Sequence, residues 1–480
     1  MGSKVYVSWV QEVSFHQSTN FGDPPLSVAF SFESAFGSGY TASWTWGDGN
    51  TSLQSLPNGT ATGATESYQW WNYTHKFVYI GSFIPQITIS KDGHDATGSS
   101  NVYMSFVPSL FYSYYNESGL ISRGDEGATY SIGLAEECSV PPGYLGNFTS
   151  DLTTFDSEFR LPTATVLFEG PGNRSCPSPN PNFVGETDLD IEWAHVAAPD
   201  ATIYVCLSNV GGSLQSQYAG LESCDQEFYQ YRGATSWNTR IVSNSWGFCG
   251  WGNGTTSQGG VDSLCYNGGD PYYGNWSAYA QAGMTVLASV GDIWPGPCVL
   301  SMYPAADPYL LAVGATTIDQ VGPGGSYGSE SQWFYHVAVS GVDLNPQCYW
   351  KADGQDKWYY GETYGRYVNY SAPSWQVPLF GNGTRWFPDI SMVGNESTGV
   401  PVFSDGKWLL VGGTSVGSPI WAGLLDILFQ AGTPGLSGFA ASFLYGHSAC
   451  FNSVSVVQSE RYAGDRDGLG TPNVGCLSTA

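Results

Sequence analysis

Apolar side chains recur at every second position up to about residue 107 and lose that rhythm beyond it, and this change of period constrains the fold more than any single motif. Val28-Ala29-Phe30-Ser31-Phe32, Ser43-Trp44-Thr45-Trp46 and Phe83-Ile84-Pro85-Gln86-Ile87-Thr88-Ile89 alternate as strands do when one face is buried. Short alternating strands punctuated by turn residues predict an antiparallel β-sandwich over residues 1–107. From residue 108 onward, Ala201–Leu207, Ile241–Ser245 and Thr285–Ser289 are short apolar runs, while Glu186–Ala198 and Ser415–Gln430 have helical spacing. Strands apolar on both faces, alternating with helices, predict a doubly wound α/β domain on a mainly parallel sheet over residues 108–480. Reactive groups in such a domain belong at the carboxyl ends of strands and the amino ends of helices.

Charge narrows the partners. The 41 Asp and Glu outnumber the 15 Lys and Arg, giving a net charge of −26. A duplex or other phosphate-tracking partner needs a basic stripe that releases counterions, so nucleic acid is excluded. Only 12% of residues are charged while 15% are aromatic, a composition for folded cores rather than an acidic disordered chain. Most of the negative charge sits on groups that discharge near pH 4, which points to an acidic working environment. Ten Cys occur, none in C-x-x-C pairs with His, so disulfides are expected rather than zinc. Eleven N-x-S/T sequons agree with a secreted glycoprotein. The start lacks a basic and then apolar leader, and the longest apolar run, Pro419–Phe429, is interrupted by Asp426. A soluble, extracellular mature form without a membrane span is expected, its export signal removed.

Three segments compete for the chemistry. In Gly185-Glu186-Thr187-Asp188-Leu189-Asp190, Glu186 and Asp190 stand four apart, so on a helix both carboxyls share a face and can share a proton. A carboxylate so paired can act as a general base in acid, where a histidine is already protonated. The plain alternative is that first-turn acids complement a helix dipole. Asp292 ends the apolar strand Thr285–Ser289, either as a reactive acid or as a turn cap. Ser415, in Gly412-Gly413-Thr414-Ser415, opens a helix where a serine is exposed for attack, although serine is also an ordinary N-cap. None of the six His is followed by Gly as a subtilisin-type base would be, and His195 falls on another helix face from Asp190.

Taken together, these segments resemble the sedolisin family of serine-carboxyl peptidases. The resemblance rests on Gly185–Glu192 with Ala198-Pro199-Asp200-Ala201, on Thr285–Asp292, on Tyr303-Pro304-Ala305 running to Gly314-Ala315-Thr316, on Pro373-Ser374-Trp375-Gln376, Pro388-Asp389-Ile390 and Gly413-Thr414-Ser415, in that order over about residues 108–476. It implies Ser415 as nucleophile, Glu186 as general base and acid, Asp190 as its proton-sharing partner, and a protonated Asp292 in the oxyanion hole. It further implies a polypeptide substrate lying along the edge segment Val242–Gly247, with Ser245, Trp246 and Gly247 in contact, and an endopeptidase or tripeptidyl-peptidase active in acid.

The N-terminal segment resembles the polycystic kidney disease (PKD) domain through Trp46-Gly47-Asp48-Gly49-Asn50 and His75–Phe83, which implies a module contacting a surface, polymer or protein partner. The sedolisin resemblance also implies a calcium site near the C terminus, with no organic cofactor. Here Ser453 stands where the family's first Asp is expected, leaving Asp465 and Asp467 as candidate ligands, and a disulfide such as Cys450–Cys476 is an alternative brace. The PKD-like module stands where the family's long propeptide is expected, so either the propeptide is removed on maturation or the accessory parts are arranged differently here. A different class of function remains: a surface or filament protein that keeps the peptidase fold as a catalytically idle scaffold.

Overall fold

A computed structural model of the protein describes residues 14–17, 26–35, 41–47, 49–55, 68–77, 81–91, 94–99, 102–139, 145–168, 181–208, 214–233, 238–250, 265–266, 273–292, 302–338, 350–352, 355–362, 365–381, 383–455 and 468–480. The chain divides into two compact units, Met1–Val107 and Pro108–Ala480.

In the first unit, Ser14–Gln17, Leu26–Ala35 and Tyr68–Phe77 form one antiparallel sheet. Thr51–Ser55, Thr41–Thr45, Gln86–Lys91 and His94–Ser99 form another, in that spatial order. Alternation places Val28 and Phe30 in the core while Ser27 and Ala29 face outward. The two inner faces meet where the Phe30 ring lies 5.6 Å from Trp44 and 5.2 Å from Trp46. Trp46 stacks on Trp44 at 4.5 Å and on His75 at 4.2 Å, so both tryptophans are consumed by the core. The turn after Trp46 needs left-handed backbone at Gly47 and Gly49, with φ of 80° and 86°. Asp48 lies outside the described residues.

The second unit is built on a nine-stranded sheet. Its spatial order is Thr165–Phe168, Thr202–Ser208, Ser131–Glu137, Thr239–Asn244, Thr285–Ser289, Leu311–Val321, Tyr327–Gln332 and Val454–Ser455, with Ile390–Val393 also paired to Leu311–Val321. Only the pairing of Leu311–Val321 with Tyr327–Gln332 is antiparallel. The central strands carry apolar residues on both faces because both faces are covered: every residue of Thr285–Ser289 is buried. Val242–Asn244 is not an edge. It is hydrogen-bonded to Ser131–Glu137 on one side and to Thr285–Ser289 on the other, so only Ser245–Gly247, past the strand end, can face a peptide.

Two helices cross the middle of this unit buried on nearly all sides, Val184–Ala197 and Gly417–Gln430. They touch where a Cβ on Gly423 would stand 2.6 Å from the Ala197 Cβ, so the contact requires glycine. The expected helix start at Ser415 is refined: Thr414–Val416 is a 3-10 turn, and the α-helix begins at Gly417. Asp426, the acid inside the apolar run, is buried and accepts the Tyr130 backbone N–H at 2.7 Å, which ties this helix to the entry of the strand Ser131–Glu137. Among the described residues, no helix is long and apolar enough to cross a membrane.

Cys206–Cys224 and Cys450–Cys476 are disulfides, as the cysteine usage predicts. One sequon is unsuited to glycosylation in the folded chain: Asn395 is buried and its amide donates to Thr317 Oγ1 at 2.8 Å. His195 is buried against the Pro162 carbonyl at 2.9 Å, and burial lowers its pKa to about 4. It is a core histidine.

The ion pair of Arg385 with Asp389 has no exposure on either side chain. Asp389 also accepts from Gln376, Tyr445 and the Ala312 N–H. Removing one partner strands a buried charge, so Arg385→Ala is expected to lose about 3–5 kcal/mol in denaturant-induced unfolding. Arg123→Ala, which removes a pair whose arginine is 57% exposed, should lose less than about 1 kcal/mol in the same titration.

Candidate active site

The amino ends of the two buried helices bring the predicted residues together. Glu186 lies in the first turn of Val184–Ala197, and its carboxyl is within hydrogen-bonding reach of the Ser415 hydroxyl and within electrostatic range of Asp292. Asp190, one turn on, is fully buried and raises the Glu186 pKa further. Residues 186, 292 and 415 are remote in sequence and share one site.

The Ser415 turn is pinned through Thr414. Asp292 Oδ1 accepts both the Thr414 N–H at 2.8 Å and the Thr414 hydroxyl at 2.9 Å. The Thr414 carbonyl accepts from the Ser289 hydroxyl, and its Oγ1 accepts the Gly291 N–H. With two donors already on Oδ1, a proton on this carboxyl belongs on Oδ2. That oxygen lies 2.8 Å from the place where a Cβ of residue 413 would stand, and Gly413 has φ of 120°, so glycine keeps the approach open. On the other flank, the Ser245 hydroxyl donates to the Ser415 carbonyl at 3.3 Å, and Ser243 Oγ to Ser418 Oγ at 2.8 Å.

Ser245, Trp246 and Gly247 are half-buried just past the strand end. Trp246 meets Tyr218 edge-on at 5.6 Å, and Tyr218 meets Tyr303 at 4.9 Å, so the segment is walled by aromatic rings. Sequence reasoning missed one residue here. Glu136, on Ser131–Glu137, is buried beside Asp190, and with Ser245 it helps to hold the Asp190 pKa down. The signal was the pair Glu136-Glu137 closing an apolar strand, the position where a parallel sheet presents its reactive groups.

Burial raises all four carboxyls, Glu136, Glu186, Asp190 and Asp292, above the ordinary carboxylate range. Neighbouring acids raise Glu136 and Glu186 further, and the Thr414 donors partly offset the rise at Asp292. Such groups hold protons where exposed acids have lost theirs, which suits one of them to donate a hydrogen bond.

The resemblance places the expected calcium near Ser453, Asp465 and Asp467. Asp465 and Asp467 lie outside the described residues. In the described part, the Ser453 carbonyl accepts the Tyr327 hydroxyl and the Gly470 carbonyl accepts the Ser391 N–H, so these oxygens are engaged. No group of three His, Cys, Asp or Glu converges among the described residues. The Cys450–Cys476 bridge spans this region.

Several buried acids of this unit share the upward shift: burial pushes Asp156 and Glu330 up to about 7 and Asp188 to about 8. The folded chain therefore binds these protons more tightly than the unfolded chain. Their stabilisation is full near pH 4 and is lost as pH rises through about 7 to 8. Urea unfolding followed from pH 4 to pH 9 should show the midpoint falling across that window.

No family model matches the chain. Sedolisin of Pseudomonas sp. (strain 101) is 35% identical over 156 residues, 32% of this chain and 23% of the relative. Kumamolisin of Bacillus sp. (strain MN-32) is 28% identical over 284 residues, 55% and 43% of the two chains. Tripeptidyl-peptidase 1 of Dictyostelium discoideum is 26% identical over 293 residues, 58% and 40%. The chain thus spans less than half the length of these relatives. A solved Pseudomonas sedolisin, a serine-carboxyl proteinase, matches with a TM-score of 0.57 at 22% identity, over 78% of this chain and 97% of that one, and shares the fold. In sequence the chain is thus similar to sedolisin-family peptidases over part of their length, and its second unit shares their fold.

Proposed function

We propose that the chain is a serine-carboxyl peptidase that cleaves polypeptides in acid. The observation that carries this reading is the reach of the Ser415 hydroxyl to Glu186, with Asp190 behind it and Asp292 bonded to the adjacent Thr414. Glu186, in its ionised form, takes the Ser415 proton as Oγ attacks the scissile carbonyl, and Asp190 orients Glu186 and shares its proton. The Asp292 Oδ2 proton donates to the oxyanion without leaving the acid. Collapse expels the amine, which takes the proton from Glu186. Water activated by the same carboxylate then releases the acyl group from Ser415. Glu136 stabilises the proton arrangement around Asp190. The peptide lies along Ser245–Gly247, where the chain has left the sheet and its backbone groups can pair with substrate.

The setting belongs to the same proposal. Two disulfides and the acid-rich composition support export to an oxidising, acidic exterior. The first unit, with its turn after Trp46 and buried Trp46–His75 stack, is proposed to be a PKD-like module, its buried aromatics structural and its partner met by outward-facing strand residues.

A denatured peptide mixture incubated with the protein from pH 2 to pH 7 should be cut most rapidly in acid, with the cut positions distinguishing internal cleavage from tripeptide release. Asp292→Asn should lose about 100- to 1000-fold in kcat through one weakened oxyanion donor. Ser415→Ala should be inactive. Full activity in Ser415→Ala would overturn the assignment, and no cleavage at any pH would favour the scaffold reading.

A further inference from the structure

The helix that carries Glu186 and Asp190 has a second acidic face that the chemistry does not use. Asp188 and Glu192 stand four apart on it, each 1% exposed. They point to the hairpin formed by Val400–Ser404 and Lys407–Val411. Glu192 Oε2 accepts the Phe403 N–H at 3.0 Å, and Asp188 lies within hydrogen-bonding reach of the Ser404 hydroxyl. Trp193 Nε1 donates to the Pro401 carbonyl at 2.9 Å from the same helix, and Asp151, on helix Gly146–Phe159, accepts the Asp405 N–H at 2.9 Å. Four successive attachments along residues 401–405 therefore hold this hairpin, and three of them end on carboxyls.

The base of the hairpin is the pair Val400 and Val411. The next residues are Gly412, Gly413, Thr414 and Ser415. The Gly413 N–H donates to the Gly394 carbonyl at 2.6 Å, so the nucleophile turn is the direct continuation of the strand that these acids hold.

We propose that Asp188 and Glu192 are positioning residues for Ser415, holding the hairpin Val400–Val411 and the turn that follows it only while they carry protons. Two buried oxygens aim into the cluster without a hydrogen-bond partner, Asp188 Oδ2 and Glu192 Oε1. The groups facing the pair are acidic from every side: Asp151 and Asp156 from helix Gly146–Phe159 and Asp405 from the hairpin turn. The one base nearby, His195, lies 3.4 Å from Asp156, and burial keeps it neutral above about pH 4. Lys407 is exposed, and among the described residues no cation pairs with Asp151, Asp188 or Glu192. Ionising both members thus creates uncompensated like charges in a dry contact, which costs far more than neutral acids do in the same place. Burial raises both groups, Asp188 to about 8; the Ser404 hydroxyl and the Phe403 N–H offset this in part and the neighbouring acids add to it, so the latch is closed in acid and opens as pH rises through neutrality. This sets an alkaline limit separate from the need for a protonated Asp292.

The consequence for catalysis rests on the peptidase reading, but the latch is measured without activity. Hydrogen exchange, corrected for the intrinsic rate at each pH, is followed on peptides covering residues 400–411 of the full chain carrying Ser415→Ala. Protection of the hairpin should fall at least tenfold between pH 5 and pH 9, ahead of the strand Thr285–Ser289. In the added double variant Asp188→Asn and Glu192→Gln, which keeps neutral groups of the same shape, protection should persist at least one pH unit higher. With Ser415 restored, the upper limb of the kcat profile should move the same way while KM stays unchanged. Protection that is flat to pH 9 in the parent chain, or the same midpoint in parent and variant, would overturn the proposal. A double variant that fails to fold at pH 4 leaves the parent exchange profile to decide.

Discussion

The hydrogen bonds between Thr414 and Asp292 hold the reactive part of the molecule together. Through them the acid at the end of one central strand and the serine at the head of a buried helix become a single piece. The Ser289 hydroxyl and the Gly291 N–H secure the same threonine from the strand side. The helix that carries Glu186 packs directly on the helix that follows Ser415, so Glu186 and Ser415 are held by two buried elements rather than by flexible loops. An arrangement of that kind pre-pays the cost of orientation, which is where much of a catalytic site's advantage arises.

Among the described residues, Glu136, Asp188, Asp190 and Glu192 are buried with no cation paired to them. A buried acid without a positive partner keeps its proton, and a protonated acid can donate a hydrogen bond that a carboxylate cannot. The few basic groups are used elsewhere: Arg385 is fully committed to Asp389 and backbone carbonyls beneath the sheet. The same shortage of cations makes the folded state lose ground as pH rises.

Much of this was legible in the sequence because it was written in local patterns. The run Thr285–Ser289 is a strand with the boundaries its residues predict, and Glu186 and Asp190 fall on one helix as their spacing requires. Three errors have a common cause. Val242–Asn244 looks like an edge until its two parallel neighbours are known. Glu136 has no local partner, since its companion Asp190 is 54 residues away, and Asn395 satisfies a sequon rule that is blind to burial. Sheet neighbours, distant carboxyl contacts and burial are products of the tertiary fold, which periodicity alone does not encode.

The contact between Gly423 and Ala197 sets a distance it never touches. Both helices run from the site in the same direction, and eight residues beyond Ser415 the second helix presses its bare backbone against the first. The gap between Ser415 and Glu186 thus depends on a missing methyl group deep in the core. Substitutions there would change that spacing while leaving both residues in place.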